Sequence, residues 1–394
     1  MSQPVPTAAE LRARALALQP TLAERVAEAD SLRRLPDATV ADFRDAGFFR
    51  MLQPARWGGL EVDPQVFFDV QMTVGAGCPS SAWVLGVVAV HAWQLALFPL
   101  EAQEEVWGSD RGALISSSYA PTGKVTRTDG GYKISGRWSF SSGSDHCQWV
   151  FLGGMVPPES ADRPPEMRTF LLPRRDYKID DNWHVMGLKG TGSKDIVVDD
   201  VFVPEHRTHR LMDGFKRSSP GNEINRAPLY RLPFGQIFVR SVSTTSIGIA
   251  QGALDAYRKV TASRIAASDG AKVAVDPSAQ TVAATAAAVI EDTRATLHRN
   301  FDEMMALVRA GDDIPLERRL KFRYDSSLAV SRAVEIVDAL FTESGGRAIF
   351  IGSQLQRYFL DIHAARAHYA NNPEKPGRNF GGVLLTQKNT DYFV

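Results

Sequence analysis

KVTRT (124–128), YKISGRWSF (132–140), WVFLGG (149–154), TFLLP (169–173) and IVVDDVFVP (196–204) set the middle of the chain apart from what flanks it. They are short and rich in β-branched and aromatic residues, which suit a pleated, half-buried surface. Turn chemistry separates them, as at Asp129-Gly130-Gly131, so a compact β domain is expected over 113–210. On both sides the pattern becomes helical. In the N-terminal helical domain, 1–112, Asp37 follows Pro36 and opens a run with Val40, Phe43 and Phe48, and Gly47 stands where a C-terminal cap belongs. Asp63-Pro64 opens another helix, because proline in a first turn gives up only an amide that had no partner. Ser80 or Ser81 is placed to cap a third, and its Ala89, Val90, Leu95 and Phe98 make it apolar on nearly all sides, which predicts a path through the interior. Residues 211–234 cluster Gly, Ser, Pro and Asn and read as a linker loop. In 235–394 four helical stretches follow, roughly Gln236 to Ala267, Ala279 to Ala310, Leu316 to Ser344 and Gln354 to Asn371. Long helices with short connections imply an antiparallel four-helix bundle. The fold class is α+β, predominantly α.

The 394 residues are 44% apolar, enough to fill a large core shared by two or three packed units. Basic and acidic residues balance at 45 each, so no charge excess points to nucleic acid or an anionic membrane surface. A small molecule is the expected partner. Cys78 and Cys147 lack metal-ligand spacing and suit a structural role in a reducing cytoplasm. The opening MSQPVPTAAELRARALALQP has no continuous apolar core and does not read as a signal peptide. Trp83 to Phe98, the most apolar stretch, is interrupted by His91 and Gln94 and is shorter than the ~20 residues of a bilayer span. No Gly-x-Gly-x-x-Gly follows a strand and opens a helix. GLKGTGSKD (187–195) comes closest, but it lacks the third glycine and runs into a strand, so no nicotinamide site is evident. Walker, HExxH and nucleophile-elbow motifs are absent too.

Helices, a small β domain and then a helical bundle is the order of the acyl-CoA dehydrogenase fold. DALFTESGGRAIF (338–350) followed by QLQRYFLDIHAARAH (354–368) resembles that superfamily's C-terminal signature, in which a glycine pair and an Arg-containing helix approach a neighbouring subunit's flavin. Within it, the likeness is to the flavin-dependent monooxygenases that hydroxylate phenols, including hydroxyphenylacetate hydroxylase and the hydroxylase of phenolic seco-steroids. Four segments carry it: 32–64 (LRRLPDATVADFRDAGFFRMLQPARWGGLEVDP), HAWQLALF (91–98) with EEVWGSD (104–110), ISSSYAPTGKV (115–125) with SFSSGSDH (139–146), and 181–204 (DNWHVMGLKGTGSKDIVVDDVFVP). One departure strengthens the reading. Many dehydrogenases carry a carboxylate base in a Tyr-Glu-Gly segment after the final signature helix; here that region reads AHYANNPEKPGRNFGG (367–382), and Glu374 falls in a proline-flanked stretch expected to be mobile.

The resemblance implies the oxygenase component of a two-component system. Reduced FMN or FAD would come from a separate NAD(P)H-dependent flavin reductase, react with molecular oxygen to form a C4a-hydroperoxyflavin, and hydroxylate a phenolic or polycyclic phenolic substrate. Survival of that adduct needs a dry pocket and a hydrogen bond at flavin N5. By resemblance Ser142 makes the N5 contact with Ser117 nearby; by themselves, serines at strand ends most often satisfy turns. His91 is the resemblance's candidate to bind and deprotonate the phenol, although a histidine in an apolar helix is more often a satisfied core group. His368 is the second catalytic candidate. On an ideal helix it shares a face with Asp361 seven residues earlier, while Asp361 equally suits backbone support or a pair with Arg357. His363, on another face, reads as structural. Trp83 and Trp138 suit an aromatic wall or simply the core. By resemblance Arg264 matches a position near the cofactor's phosphates, although it equally suits a surface arginine, and Gly345, Gly346 and Gln354 complete the cofactor candidates. Where the hydroxyphenylacetate enzyme has an arginine this chain has Gly235, which leaves room for a larger, less charged substrate. The family also implies a homotetramer. Heteroatom oxidation at nitrogen or sulfur, acyl-CoA dehydrogenation and a noncatalytic ligand-binding role are the competing readings.

Overall fold

The structure, a computed structural model, describes residues 5–158, 160, 162–265 and 270–394. Six helices open the chain: α1 (Ala8–Glu24), α2 (Val26–Leu32), α3 (Asp37–Asp45), α4 (Pro64–Gly77), α5 (Pro79–Leu95) and α6 (Leu100–Trp107). The Thr7 side chain accepts the Glu10 N–H while the Glu10 carboxylate accepts the Thr7 N–H, so α1 starts with a reciprocal cap. Proline opens both α4 and α5. The serine cap expected on α5 is not made: Cys78 occupies the cap position, Ser80 and Ser81 lie inside the first turn, and the Ser81 hydroxyl turns back onto Cys78 Sγ at 3.1 Å. Every residue of α5 is buried, as its all-round apolarity predicts. Cys78 and Cys147 are both buried and unpaired.

Seven strands follow: β1 (Ile115–Thr128), β2 (Gly131–Ser141), β3 (Trp149–Val156), β4 (Glu166–Pro173), β5 (Lys178–Asp180), β6 (Lys194–Pro204) and β7 (Thr208–Arg210), in the spatial order β5-β6-β2-β1-β3-β4-β7. The long β1 serves two neighbours. Its start pairs parallel to β3 (Ile115↔Trp149) and its end antiparallel to β2 (Val125↔Ile134). Ile196, Val198 and Val203 of β6 all face the sheet's own core, a change of parity that strict alternation forbids. One extra residue supplies it: between the pairs Gly136↔Val198 and Ile134↔Val201, β6 carries two residues against one, and Asp200 takes φ 47° there.

Residues 211–234 are not an open linker. They form α7 (Leu211–Lys216) and two 3-10 turns, and Leu229, Tyr230 and Leu232 are buried. Polar residues that suggested a loop satisfy backbone inside the protein instead: Asn225 Nδ2 donates to the Ala96 carbonyl at 2.8 Å, and Asn222 Nδ2 donates to that of Tyr230 at 2.7 Å. Helices α8 (Phe234–Thr261), α9 (Pro277–Ala310), α10 (Leu316–Glu343), α11 (Gln354–Arg366) and α12 (Glu374–Leu384) complete the chain. α8 is the hub, packing on α4, α5, α9, α10 and α11. Its end comes at Thr261, short of the expected Ala267, and 266–269 lie outside the described residues. α11 ends at Arg366, short of Asn371, and Glu374 opens a helix where a mobile stretch was expected. Among the described residues no helix is long and apolar enough to cross a membrane.

Candidate active site

α5 presents Trp83, His91 and Gln94 to the strands and to the C-terminal helices. His91 is fully buried, and its Nδ1 lies 2.6 Å from the carbonyl oxygen of Ile115 at the start of β1. A carbonyl can only accept, so the proton of the neutral ring sits on Nδ1 and the lone pair on Nε2. That Nε2 is buried without a partner. Burial pushes the imidazole down to about 4 against the opposing pull of the Ile115 carbonyl, so His91 is neutral at pH 7. Its ring meets Phe151 edge-on at 5.7 Å and Tyr119 at 6.2 Å. The Tyr119 hydroxyl donates to Gln94 Oε1, stands within reach of Ser117, and burial holds its pKa well above the usual phenol value.

The turn after β2 carries Ser142. Gly143 beside it has φ +71°, and a Cβ there would meet Val84 Cγ1 of α5 at 2.8 Å, so only glycine lets this turn lie so close to the helix. Trp83 Nε1–H donates to Ser142 Oγ at 3.1 Å. Ser142 Oγ is also 2.7 Å from Ser193 Oγ, Ser193 Oγ is 2.7 Å from Thr191 Oγ1, and Thr191 donates to the Leu188 carbonyl at 2.8 Å. Asp361 of α11 fixes this segment by accepting the Leu188 N–H at 2.6 Å. Burial raises Asp361 to about 7, with the Leu188 N–H pulling the other way.

Asp361 and His368 do not share a helix face. α11 closes at Arg366, and His368 begins a 3-10 turn (Tyr369–Asn371), where its Nδ1 accepts the Ala370 N–H at 3.2 Å. The neutral ring therefore carries its proton on Nε2 and presents a donor, the complement of His91. Burial, helped by the charge of Arg323, lowers His368 to about 4. Trp83 meets its ring edge-on at 5.7 Å, Tyr369 at 4.9 Å and Phe238 at 6.3 Å. Phe238 in turn packs on Tyr119 at 5.0 Å and on Phe393 at 5.7 Å. Ser142, Trp83, His368, Phe238, Tyr119 and His91 thus form one continuous, water-poor wall drawn from three parts of the chain.

The remaining candidates lie elsewhere. Trp138 is sealed in the sheet's own core, its indole N–H on the Gly153 carbonyl at 2.8 Å. Arg264 Nη1 donates to the Glu343 carbonyl at 3.0 Å, and Gly345, at φ +63°, makes room for its guanidinium: a Cβ there would stand 3.1 Å from Arg264 Nη2. Gly346 follows, and Gln354 opens α11 on the surface. His363 pairs with Asp338 at 2.9 Å. Arg357 lies 3.9 Å from Asp30, leaving Asp361 its backbone role. A cavity of about 250 Å³ lined by Arg44, Arg50 and Arg111 touches α5 at Val88 and Ala92 and reaches Ile115, but none of the sequence-predicted residues lines it. Sequence reasoning missed Tyr119, Phe238, Thr191 and Ser193. Tyr119, Thr191 and Ser193 all lie in the quoted segments 115–125 and 181–204, which was the available signal.

Residues 241–373 match the acyl-CoA dehydrogenase C-terminal domain family. The flavin-dependent monooxygenase oxygenase subunit HsaA of Rhodococcus jostii (strain RHA1) is 44% identical over 360 residues, 91% of this chain and 94% of that one. The oxygenase component of the FADH(2)-dependent resorcinol hydroxylase of Rhizobium sp. (strain MTP-10005) is 33% identical, over 91% and 90% of the two chains. The crystal structure of the 3-HSA hydroxylase from Rhodococcus sp. RHA1 superposes with a TM-score of 0.94 at 42% identity, covering 98% of this chain and 99% of that one. The chain therefore belongs to the flavin-dependent monooxygenases with the acyl-CoA dehydrogenase fold, as an oxygenase component.

Proposed function

We propose that this enzyme hydroxylates a phenolic ring, on a substrate larger and less charged than a small carboxylated phenol, using reduced flavin delivered in the cytoplasm by a separate reductase. Two orphaned acceptors fit such a pair of ligands: the buried, unpartnered Nε2 of His91 and the unused lone pair of Ser142 Oγ. Reduced flavin, when bound, would supply the two electrons that activate molecular oxygen, one atom of which goes to the ring while the other leaves as water. Ser142 would hold the flavin at N5 with Trp83 and Ser117 beside it, while Arg264, Gly345, Gly346 and Gln354 would serve the flavin of a neighbouring subunit in a homotetramer. The exposed apolar run Ile349, Phe350 and Ile351 next to that glycine pair supports an interface there.

The observation that carries the reading is the state of His91. Its ring is neutral, its proton is held by a carbonyl, and its free lone pair faces an aromatic interior with no protein group to fill it. A phenol O–H is the matching donor. Drawing that proton toward Nε2 raises electron density on the ring carbon that receives oxygen. His368 Nε2–H can donate to a second oxygen. Gly235 supports the limit on substrate charge: a Cβ there would meet the Phe393 carbonyl oxygen at 2.4 Å, because the chain's last residues lie across it. No cationic side chain fits at that position.

His91→Ala is the test. Phenol hydroxylation should fall by about 10²–10⁴-fold, the range of a positioned base, with reducing equivalents diverted to hydrogen peroxide. Oxidation of a thioether or amine probe, which needs no phenol proton removed, should be far less affected. Undiminished phenol hydroxylation by the variant would overturn the reading.

A further inference from the structure

We infer that Thr191 and Ser193 are positioning residues that orient the Ser142 hydroxyl so that this enzyme selects reduced flavin over oxidised flavin. The inference rests on the reading of Ser142 as the partner of flavin N5 and adds to it a direction. The Leu188 carbonyl has no proton to give, so the Thr191 hydroxyl, 2.8 Å away, donates to it. Thr191 N and Trp183 Nε1 share the same carbonyl at 3.1 and 3.3 Å. With its own proton committed, Thr191 Oγ1 can only accept from Ser193, and Ser193 Oγ can then only accept from Ser142. At the far end Trp83 Nε1 has no acceptor capacity and donates to Ser142 Oγ.

A serine hydroxyl has one proton and two lone pairs. For Ser142 the proton goes to Ser193 and one lone pair to Trp83, so the single remaining valence is an acceptor. Every group in the chain is buried: Thr191 is 1% exposed, Ser193 5% and Ser142 7%. Water is therefore poorly placed to reverse it. Reduced flavin carries a proton on N5 and offers a donor, whereas oxidised N5 offers only a lone pair. The relay thus accepts the first and sets two acceptors against each other with the second. An enzyme fed reduced cofactor by another protein benefits directly, because spent flavin is released and free oxidised flavin does not block the site.

The test is anaerobic titration of the purified protein with oxidised and with dithionite-reduced FMN and FAD, giving two dissociation constants for each variant. Thr191→Val keeps the shape and removes the hydroxyl. Ser193 then loses its acceptor, can donate back to Ser142, and frees the Ser142 proton to point at N5. The preference for reduced over oxidised flavin should fall roughly tenfold, the worth of a hydrogen bond gained on one side and lost on the other. Oxidised flavin should bind more tightly than to the wild type, which a general structural lesion would not produce. Thr191→Ser should restore the wild-type ratio, and Ser193→Ala breaks the same relay should Thr191→Val fail to fold. If Ser142→Ala changes flavin affinity while Thr191→Val and Ser193→Ala leave the ratio at the wild-type value, the relay is wrong and the N5 contact stands. If Ser142→Ala alters neither affinity, the N5 contact itself falls, and the relay with it.

Discussion

Burial leaves a legible mark on the ionisable residues of this site. His91 and His368 each hold a folded-state pKa of about 4, below the ordinary 6.5, because the interior penalises the imidazolium. Between pH 6.5 and 4 the unfolded chain takes up protons that the folded chain refuses, so stability falls as pH drops through that window. His91→Gln, which cannot titrate, should therefore lose less stability than wild type between pH 7 and pH 5, measured as the shift in urea midpoint. An equal shift would mean that His91 is not buried neutral. Asp361 carries the opposite sign. Its folded value of about 7 lies above the ordinary 3.8, so from pH 3.8 to 7 the folded chain keeps a proton the unfolded chain has given up, and stability falls as pH rises. Asp361→Asn keeps an acceptor for the Leu188 N–H. Its melting temperature relative to wild type should rise steadily from pH 4.5 to 7.5, and a constant difference would contradict a raised Asp361.

At the scale of elements, periodicity and punctuation located what local chemistry controls and missed what distant contacts control. Pro64 and Pro79 open their helices, and the apolarity of α5 correctly placed it inside. The end of α11 was not legible, because Ala364, Ala365 and Ala367 are strong helix formers. Asn371 ends it from a distance: its side chain donates to the Ala365 carbonyl at 2.8 Å and reaches the Val242 carbonyl of α8 at 3.4 Å. The segment 211–234 misled for a related reason, since polar residues that satisfy buried backbone look like those of a loop. GLKGTGSKD falls short of a dinucleotide-binding motif in sequence, and its hydroxyls acquire meaning only opposite Ser142 and Trp83, which lie far away in sequence. His91 and Ser142 were found through family likeness; their hydrogen-bond polarity came from the structure. Gly143 makes an element-level test. Gly143→Ala must move the Ser142 turn off Val84 and strain a left-handed backbone, at a cost of roughly 1–3 kcal/mol. A lower melting temperature and weakened flavin binding are expected; unchanged values for both would show that the turn need not lie against α5.

Over the whole molecule, one wall is assembled from α5, the sheet and the C-terminal helices, and a second group of cofactor candidates stands apart. Among the described residues no hydrogen bond or ring contact links Arg264, Gly345 and Gln354 to Ser142 or His91. The proposed assembly, in which one chain's glycine loop would reach another chain's flavin, accounts for this separation. Sedimentation should therefore show a homotetramer, and replacing both Phe350 and Ile351 by Glu should dissociate it and lower flavin affinity together. A fully active monomer would remove the loop from cofactor binding. Delivery of one atom of molecular oxygen to an activated phenol is tested by rapid mixing of the protein, loaded with reduced flavin and a panel of mono- and polycyclic phenols, with ¹⁸O₂. A ring-hydroxylated product carrying one labelled oxygen is expected; hydrogen peroxide alone, with every phenol recovered unchanged, would refute monooxygenation of a phenol by this chain.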